Sequence, residues 1–412
     1  MRPVLRGQSL GRVSTLASSG GSSRRFGIGM FTALTALSAV HPLASDSPLV
    51  SFPETAKSLD ASAADISLTF TAFLLGLALG TLVFGAISDA SGRKKLLVGG
   101  PIFLALLSAG CALSGSVWVL ILFRFGQGAA CASSVVAARA AVTDWVGPTH
   151  AARPFALMSA GAHLAPLLAP LLGSWLLGIG DWRTIYWGLT VISLLYASAA
   201  FLLVPETLSP KRRHAAGART TILRLKRAGT QRHMPLVLAA SALAMGAHNS
   251  YVATSSFIVQ TLFGKSASFF TAMLTVNSGA MVVSAMMLTV ILRKTSADMA
   301  LRWSLIVNCL SAFSLAILSA FGSESIIVIW ACMFICSICT GIVIPSSIAV
   351  AQRFGAPYQG SAAALQGFLN YLLGAAVSPV ASLAGNQAVF AMSLLMSVLL
   401  GVSSLCVLRM SR

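Results

Sequence analysis

Charge is what this sequence most lacks: 9% of its 412 residues are charged, and only 10 are Asp or Glu. A soluble domain carries roughly a quarter charged residues because its surface faces water. The shortage excludes an ordinary soluble globular protein, since most of this surface must face something else. Apolar segments contain no Ser-His pair, no paired Asp residues and no metal-ligand cluster, so the constellations that catalysis needs are missing and an enzyme is not expected. Cysteine is scarce too. The seven residues Cys111, Cys131, Cys309, Cys332, Cys336, Cys339 and Cys406 are odd in number and all lie in apolar stretches, which argues against a disulfide framework. Cys332, Cys336 and Cys339 share a helical face, yet no His or acidic residue joins them, so they read as small core residues and no metal is expected.

What the chain has instead is apolar length: 56% of it is hydrophobic and its mean hydropathy is +0.84. A bilayer core about 30 Å thick takes about 20 apolar residues at about 1.5 Å each. Twelve segments qualify, over 27–47, 66–87, 96–114, 117–138, 154–177, 184–204, 235–258, 268–292, 299–321, 324–346, 361–384 and 387–408. The 28 Lys and Arg leave a net charge of +18, which in a soluble protein would suggest nucleic acid. Their placement points to a membrane instead. With the amino terminus in the cytoplasm, 24 of the 28 fall on cytoplasmic connections, Lys57, Arg183 and Lys265 fall outside, and Arg124 is left within a span. An even number of spans with both termini cytoplasmic follows. The longest connection, 205–234, carries eight basic residues from Lys211 to Arg232 and reads as a linker near anionic headgroups. The chain thus divides into a basic tail (1–26), a six-helix bundle (27–204), a linker (205–234) and a second bundle (235–408). The tail has five Arg and no acid; it reads as a disordered segment, or as chain preceding a start at Met30, rather than as an organelle transit peptide.

Between the second and third spans stands Gly85-Ala-Ile-Ser-Asp89-Ala-Ser-Gly92-Arg93-Lys94-Lys95. Gly85 lets neighbouring helices approach, and Gly92 has the backbone freedom of a tight turn. This resembles the loop signature G-x-x-x-D-x-x-G-R-[KR] of the major facilitator superfamily at every defining position. The resemblance implies an all-α membrane protein of the major facilitator fold, with 12 transmembrane helices in two six-helix bundles. It makes Gly85, Asp89, Gly92, Arg93 and Lys94 a gating loop, with Asp89 meeting a cation or a helix amino terminus of the facing bundle. In the fourth span, Leu120-Ile-Leu-Phe-Arg124-Phe-Gly-Gln127-Gly128-Ala-Ala is similar to the family pattern L-x-x-x-R-x-x-Q-G-x-x-A. A charge within a span needs a partner or an aqueous cavity. The pattern implies that Arg124 and Gln127 stand beside the central cavity in proton coupling; an Arg bonded to helix carbonyls is the alternative.

The fifth span carries Ala165-Pro-Leu-Leu-Ala169-Pro170-Leu-Leu-Gly173-Ser174. It is similar to the antiporter signature G-x-x-x-G-P-x-x-G-G, with small residues Ala165, Ala169 and Ser174 in place of glycine and with Pro170 and Gly173 kept. Trp175, Asp181-Trp-Arg-Thr-Ile-Tyr-Trp187, Pro205-Glu-Thr-Leu208 and Gly360-Ser-Ala-Ala-Ala-Leu-Gln366 resemble the Bcr/CflA family of bicyclomycin and chloramphenicol resistance exporters. Arg293, Lys294, Asp298 and Arg302 are a faint echo of the loop signature in the second half. In the first span, Asp46-Ser-Pro48-Leu-Val-Ser-Phe-Pro53 departs from the family's Asp-Met-Tyr-Leu-Pro. Asp46 would be the natural proton carrier, but 21 residues of helix from Arg25, roughly 31 Å, set it near the outer interface.

The resemblance implies a secondary active transporter of a bacterial inner membrane, a proton-coupled antiporter exporting small hydrophobic compounds. An exporter of an endogenous metabolite such as a nucleoside or sugar fits the same fold. Coupling and the substrate cavity are expected at Asp46, Arg124, Gln127 and His163, the last a titrating imidazole just before Ala165. Other polar residues within spans, among them His41, Gln366 and Asn370, read singly as interhelical hydrogen-bonding groups. The expected partners are a small-molecule substrate, protons and lipid. No nucleic acid and no cofactor beyond the proton gradient is expected, and the protein is read as a monomer.

Overall fold

The computed structural model describes residues 27–146, 152–210, 213, 218–322, 325–355 and 358–410; the tail expected over 1–26 lies outside them. The described residues form twelve long helical spans: Ile28–Ser58, Ala63–Ser91, Arg93–Ala112, Val117–Val146, Ala152–Leu177, Trp182–Leu203, Met234–Leu262, Ala267–Ile291, Ala297–Ala320, Ile326–Phe354, Gln359–Ser382 and Ala388–Met410. Among the described residues eleven are long and apolar enough to cross a membrane, and the fifth is apolar over Leu164–Leu177. A further helix, Ala218–Gly229, lies in the linker. The ends are written in the sequence. Ser62, Ser266 and Ser296 accept the amides of Asp65, Phe269 and Met299, and Asp65 returns a bond to the Ser62 amide. Each such cap is worth about 1 kcal/mol.

The first span departs most from expectation. An end at 47 is predicted, yet the chain stays helical to Ser58. Its pieces are α-helices Ile28–Ser38 and Val40–Asp46, a 3-10 turn Ser47–Ser51, and α-helix Phe52–Ser58. Pro48 and Pro53 look like terminators, but each sits in the first two positions of a new helical piece, where a missing N–H is tolerated. The extension corrects the depth of Asp46, which lies 12 residues, roughly 18 Å, before the end of the span. The fourth and tenth spans also run past their predicted ends, to Val146 and Phe354.

Packing repeats with a shift of six spans. The second span packs on the fourth, the third on the fourth and sixth, and the first on the fourth to sixth; the eighth, ninth and seventh do the same in the second half. The main contacts between halves, second with eleventh and fifth with eighth, exchange under the same shift. In lipid no hydrophobic drive separates helix from solvent, so close crossings rest on small residues. A Cβ on Gly128 would run into the Phe73 carbonyl, and one on Gly341 into the Met281 carbonyl, the equivalent crossing in each half. Large apolar side chains such as Leu106, Leu122, Leu195, Leu310 and Leu405 remain mostly exposed, as a lipid-facing surface requires.

The repeat extends to charge. Arg93, opening the third span, bonds Asp144 near the end of the fourth at 2.9 Å. Asp298, near the start of the ninth, takes both terminal nitrogens of Arg353, near the end of the tenth, at 2.7 Å. The same two elements are tied in each half with the signs exchanged.

Candidate transport site

The basic connections and the loop between the second and third spans share one end of the bundle, called here the basic end. Only Gly92 separates Ser91 from Arg93, and its φ of 98° is one that L side chains rarely adopt. A Cβ there would collide with the Glu206 carboxylate. Arg93 is 7% exposed: Nε donates to Asp144 at 2.9 Å, and Nη1 to Ser88 Oγ at 2.9 Å and Asp89 Oδ1 at 2.5 Å. The amides of Arg93 and Lys94, free at a helix start, donate to Glu206 at 3.0 and 3.4 Å. Burial works against the Glu206 charge. The amides of Leu208, Arg93 and Lys94 and the nearby Arg213 guanidinium outweigh it, and the carboxyl sits below its ordinary value. Lys94 Nζ donates to the Phe201 carbonyl at 3.0 Å. A Cβ on Gly85 would make only an ordinary contact with Val136 Cγ1 at 4.0 Å, so the close helix approach expected of Gly85 is not seen there. Asp89 thus pairs inside its own loop, where a partner on the facing bundle is the family expectation.

Deeper in the first bundle Arg124 is fully buried. Nη1 donates to the Ala44 carbonyl at 2.8 Å and to Gln127 Oε1 at 2.9 Å, and the guanidinium lies over the Phe73 ring, 4.6 Å from its centroid. Gln127, also buried, passes the chain on to Ser108 Oγ at 2.8 Å. The Ala44 carbonyl needs this donor. Four residues on stands Pro48, which has no N–H to close the helical bond. Arg124 and Gln127 are both fully buried, and Arg124 braces the first span through the Ala44 carbonyl, two residues before Asp46. Asp46 itself is half-buried and accepts Ser45 Oγ at 2.5 Å.

The small residues of the fifth span seat it on the same kink. Ala165, Ala169 and Pro170 are buried, and a Cβ on Gly173 would strike the Ser47 carbonyl. His163 lies in this span, but its side chain is outside the described residues.

At the end opposite the basic connections the halves are bonded together. Ser256 Oγ donates to the Leu49 carbonyl at 2.6 Å, Gln260 Nε2 to the Val50 carbonyl at 3.0 Å, and the Phe52 and Phe257 rings meet at a tilt of 42° with centroids 6.2 Å apart. The Leu49 carbonyl also accepts the Phe52 amide, so it takes one donor from its own 3-10 turn and one from the seventh span. Toward the middle, His41 of the first span meets Tyr371 of the eleventh edge to face at 5.9 Å. The molecule is closed at the far end. Sequence reasoning missed Ser256 and Gln260 as well as the partners Asp144 and Glu206.

A family profile described as "Major Facilitator Superfamily" matches residues 28–379. A Bacillus subtilis (strain 168) protein, "Uncharacterized MFS-type transporter YdgK", is 31% identical over 359 residues, 86% of this chain and 88% of its own. The "Bicyclomycin resistance protein homolog" of Haemophilus influenzae is 28% identical over 279 residues, 67% of this chain and 69% of its own. Among solved structures, a bacterial homologue of the human lysosomal transporter Spinster in an inward-facing, unoccupied conformation is similar with a TM-score of 0.74 at 15% identity, covering 93% of this chain and 98% of that one.

Proposed function

The chain belongs to the Major Facilitator Superfamily, and from that premise we propose that it is a proton-coupled antiporter exporting small, largely apolar compounds from a bacterial cytoplasm. In this reading the basic end faces the cytoplasm, both termini included, as the excess of Lys and Arg in cytoplasmic connections favours. Similarity to the bicyclomycin resistance protein homologue supports drug-like cargo. Proton coupling rests on one observation above all: a carboxylate, Asp46, half-buried within a membrane span and held beside the Arg124-braced kink. An intramembrane acid is costly to keep ionised and so is suited to carrying a proton. Closure at the far end with exchange at the basic end is one of the two states that alternating access requires.

Inverted membrane vesicles with an imposed pH gradient test the reading. Adding a cargo compound to vesicles holding the wild-type protein is expected to release protons, and Asp46→Asn is expected to abolish that release while the protein still inserts. Undiminished gradient-driven export by Asp46→Asn overturns the coupling role. A cargo panel spanning drugs, nucleosides and sugars separates drug export from metabolite export.

A further inference from the structure

We propose that the seam between the ninth and twelfth spans, at the basic end, binds the phosphate of one anionic phospholipid through Arg302 and Arg409, a site independent of the export cargo. The two spans run antiparallel and meet where Cys309 Sγ donates to the Ser397 carbonyl at 3.7 Å and where a Cβ on Gly401 would touch that sulfur at 3.9 Å. Seven residues lead back from Cys309 to Arg302 and on from Gly401 to Leu408, about two turns or 10 Å of helix in each case. Two turns return a helix almost to its starting angle, so Arg302 and Leu408 keep the faces that meet at the crossing. Arg302 on one wall and Arg409, next to Leu408, on the other stand at the same level.

Arg302 lacks a partner. It is half-buried, and its Nε is buried with no hydrogen bond. Asp298, one turn earlier, has both carboxylate oxygens taken by Arg353 at 2.7 Å. Among the described residues it is the only acid at this end of the second half, against Arg293, Lys294, Arg302, Arg353 and Arg409. A guanidinium nitrogen kept from water without an acceptor is costly, and an anionic oxygen is the acceptor it favours most. The first half shows the same seam satisfied from within. By the six-span shift its counterpart lies between the third and sixth spans, where Lys94 Nζ donates to the Phe201 carbonyl at 3.0 Å and sits 5.2 Å from that ring's centroid. There the chain supplies the acceptor; in the second half it is left to come from outside.

The surroundings select a lipid. Trp303, beside Arg302, is 60% exposed, and Leu310 and Leu405 carry the exposed apolar surface from there toward the middle of the two spans. Arg409 is exposed on the same rim. Cations at the basic rim, with an apolar seam leading away from them, fit a phosphodiester and the acyl chains attached to it. A planar guanidinium matches two phosphate oxygens at once. A zwitterionic lipid brings the same phosphate together with its own ammonium, which the excess of cations repels.

Titration of the purified full chain in detergent with dioleoyl phosphatidylglycerol or dioleoyl phosphatidylcholine, read by native mass spectrometry, tests the site. Phosphatidylglycerol is expected to bind saturably and about tenfold tighter than phosphatidylcholine. Arg302→Gln is expected to erase that preference, Arg302→Lys to keep part of it, and Arg409→Gln to weaken it severalfold. Arg293→Gln, in the exposed turn before the ninth span, controls for diffuse attraction and is expected to change the preference by less than about twofold. Melting temperatures report folding separately: Arg302→Gln is expected to melt no lower than the wild type without added lipid, and to lose the rise that phosphatidylglycerol gives the wild type. Equal affinity of the wild type for the two lipids overturns the proposal, and so does a loss in Arg293→Gln as large as that in Arg302→Gln. Displacement of phosphatidylglycerol by millimolar inorganic phosphate would make this a free-anion site and overturn the lipid assignment.

Discussion

A single missing N–H explains the contact that Arg124 makes. Pro48 removes the amide that would bond the Ala44 carbonyl, and Nη1 of Arg124 replaces it from another helix. A buried carbonyl left without a donor costs about 1–3 kcal/mol. Arg124→Met is therefore expected to lower stability by about that amount, and Pro48→Ala in the same chain, by restoring the local N–H, to return part of it. A double-mutant cycle read by thermal unfolding in detergent is expected to show coupling of about 0.5–3 kcal/mol between the two positions. Additive effects would mean that the carbonyl bond is not what Arg124 contributes. Transport separates the roles further: if the double variant is stable but uncoupled, Arg124 acts on Asp46 beyond bracing the kink. The sequence points to Arg124 because a charge within a span needs a partner. It does not name that partner, since a backbone carbonyl leaves no trace in the residue types, and only the proline four positions on marks it.

At the scale of elements, a carboxylate from the end of the sixth span caps the start of the third, and the left-handed Gly92 makes room for it. The loop signature shows the turn; the target of Glu206 depends on how the sixth span returns beside the third, a matter of tertiary packing. Because the Glu206 carboxyl sits below its ordinary value, its stabilisation is present above the ordinary glutamate range and is lost as pH falls through the lowered folded value. Glu206→Gln is expected to lower stability at pH 7 by roughly 1 kcal/mol, less than a fully buried charged hydrogen bond would give because the group keeps partial exposure. The gap from wild type is expected to close on acidification to below the folded value. A gap that is constant with pH would show that the charge contributes nothing. Gly92→Ala, which must give up the turn or displace the carboxylate, is expected to match or exceed the loss at pH 7.

For the whole molecule, much was legible: twelve apolar spans, the side on which the basic loops gather, and a division between two bundles. The halves' mutual closure was not, because it is made by Ser256 and Gln260 against backbone carbonyls, and no periodicity in the seventh span announces which face meets the first. The 3-10 turn of the first span presents the Leu49 and Val50 carbonyls, and the seventh span supplies the donors. Rocking to the opposite state has to break both bonds and part Phe52 from Phe257, so these contacts bias the molecule toward far-end closure. Ser256→Ala together with Gln260→Ala is expected to shift the population toward far-end opening. Phe52→Cys, introduced into a chain whose seven native cysteines are replaced, provides the readout. Phe52 is 2% exposed in the closed state, so a membrane-impermeant maleimide added from the far side is expected to react slowly there and about five- to tenfold faster once the two donors are removed, the response to a shift of about 1–1.4 kcal/mol. Equal labelling with and without the donors would place the bias elsewhere, in the crossings of the second span with the eleventh and of the fifth with the eighth.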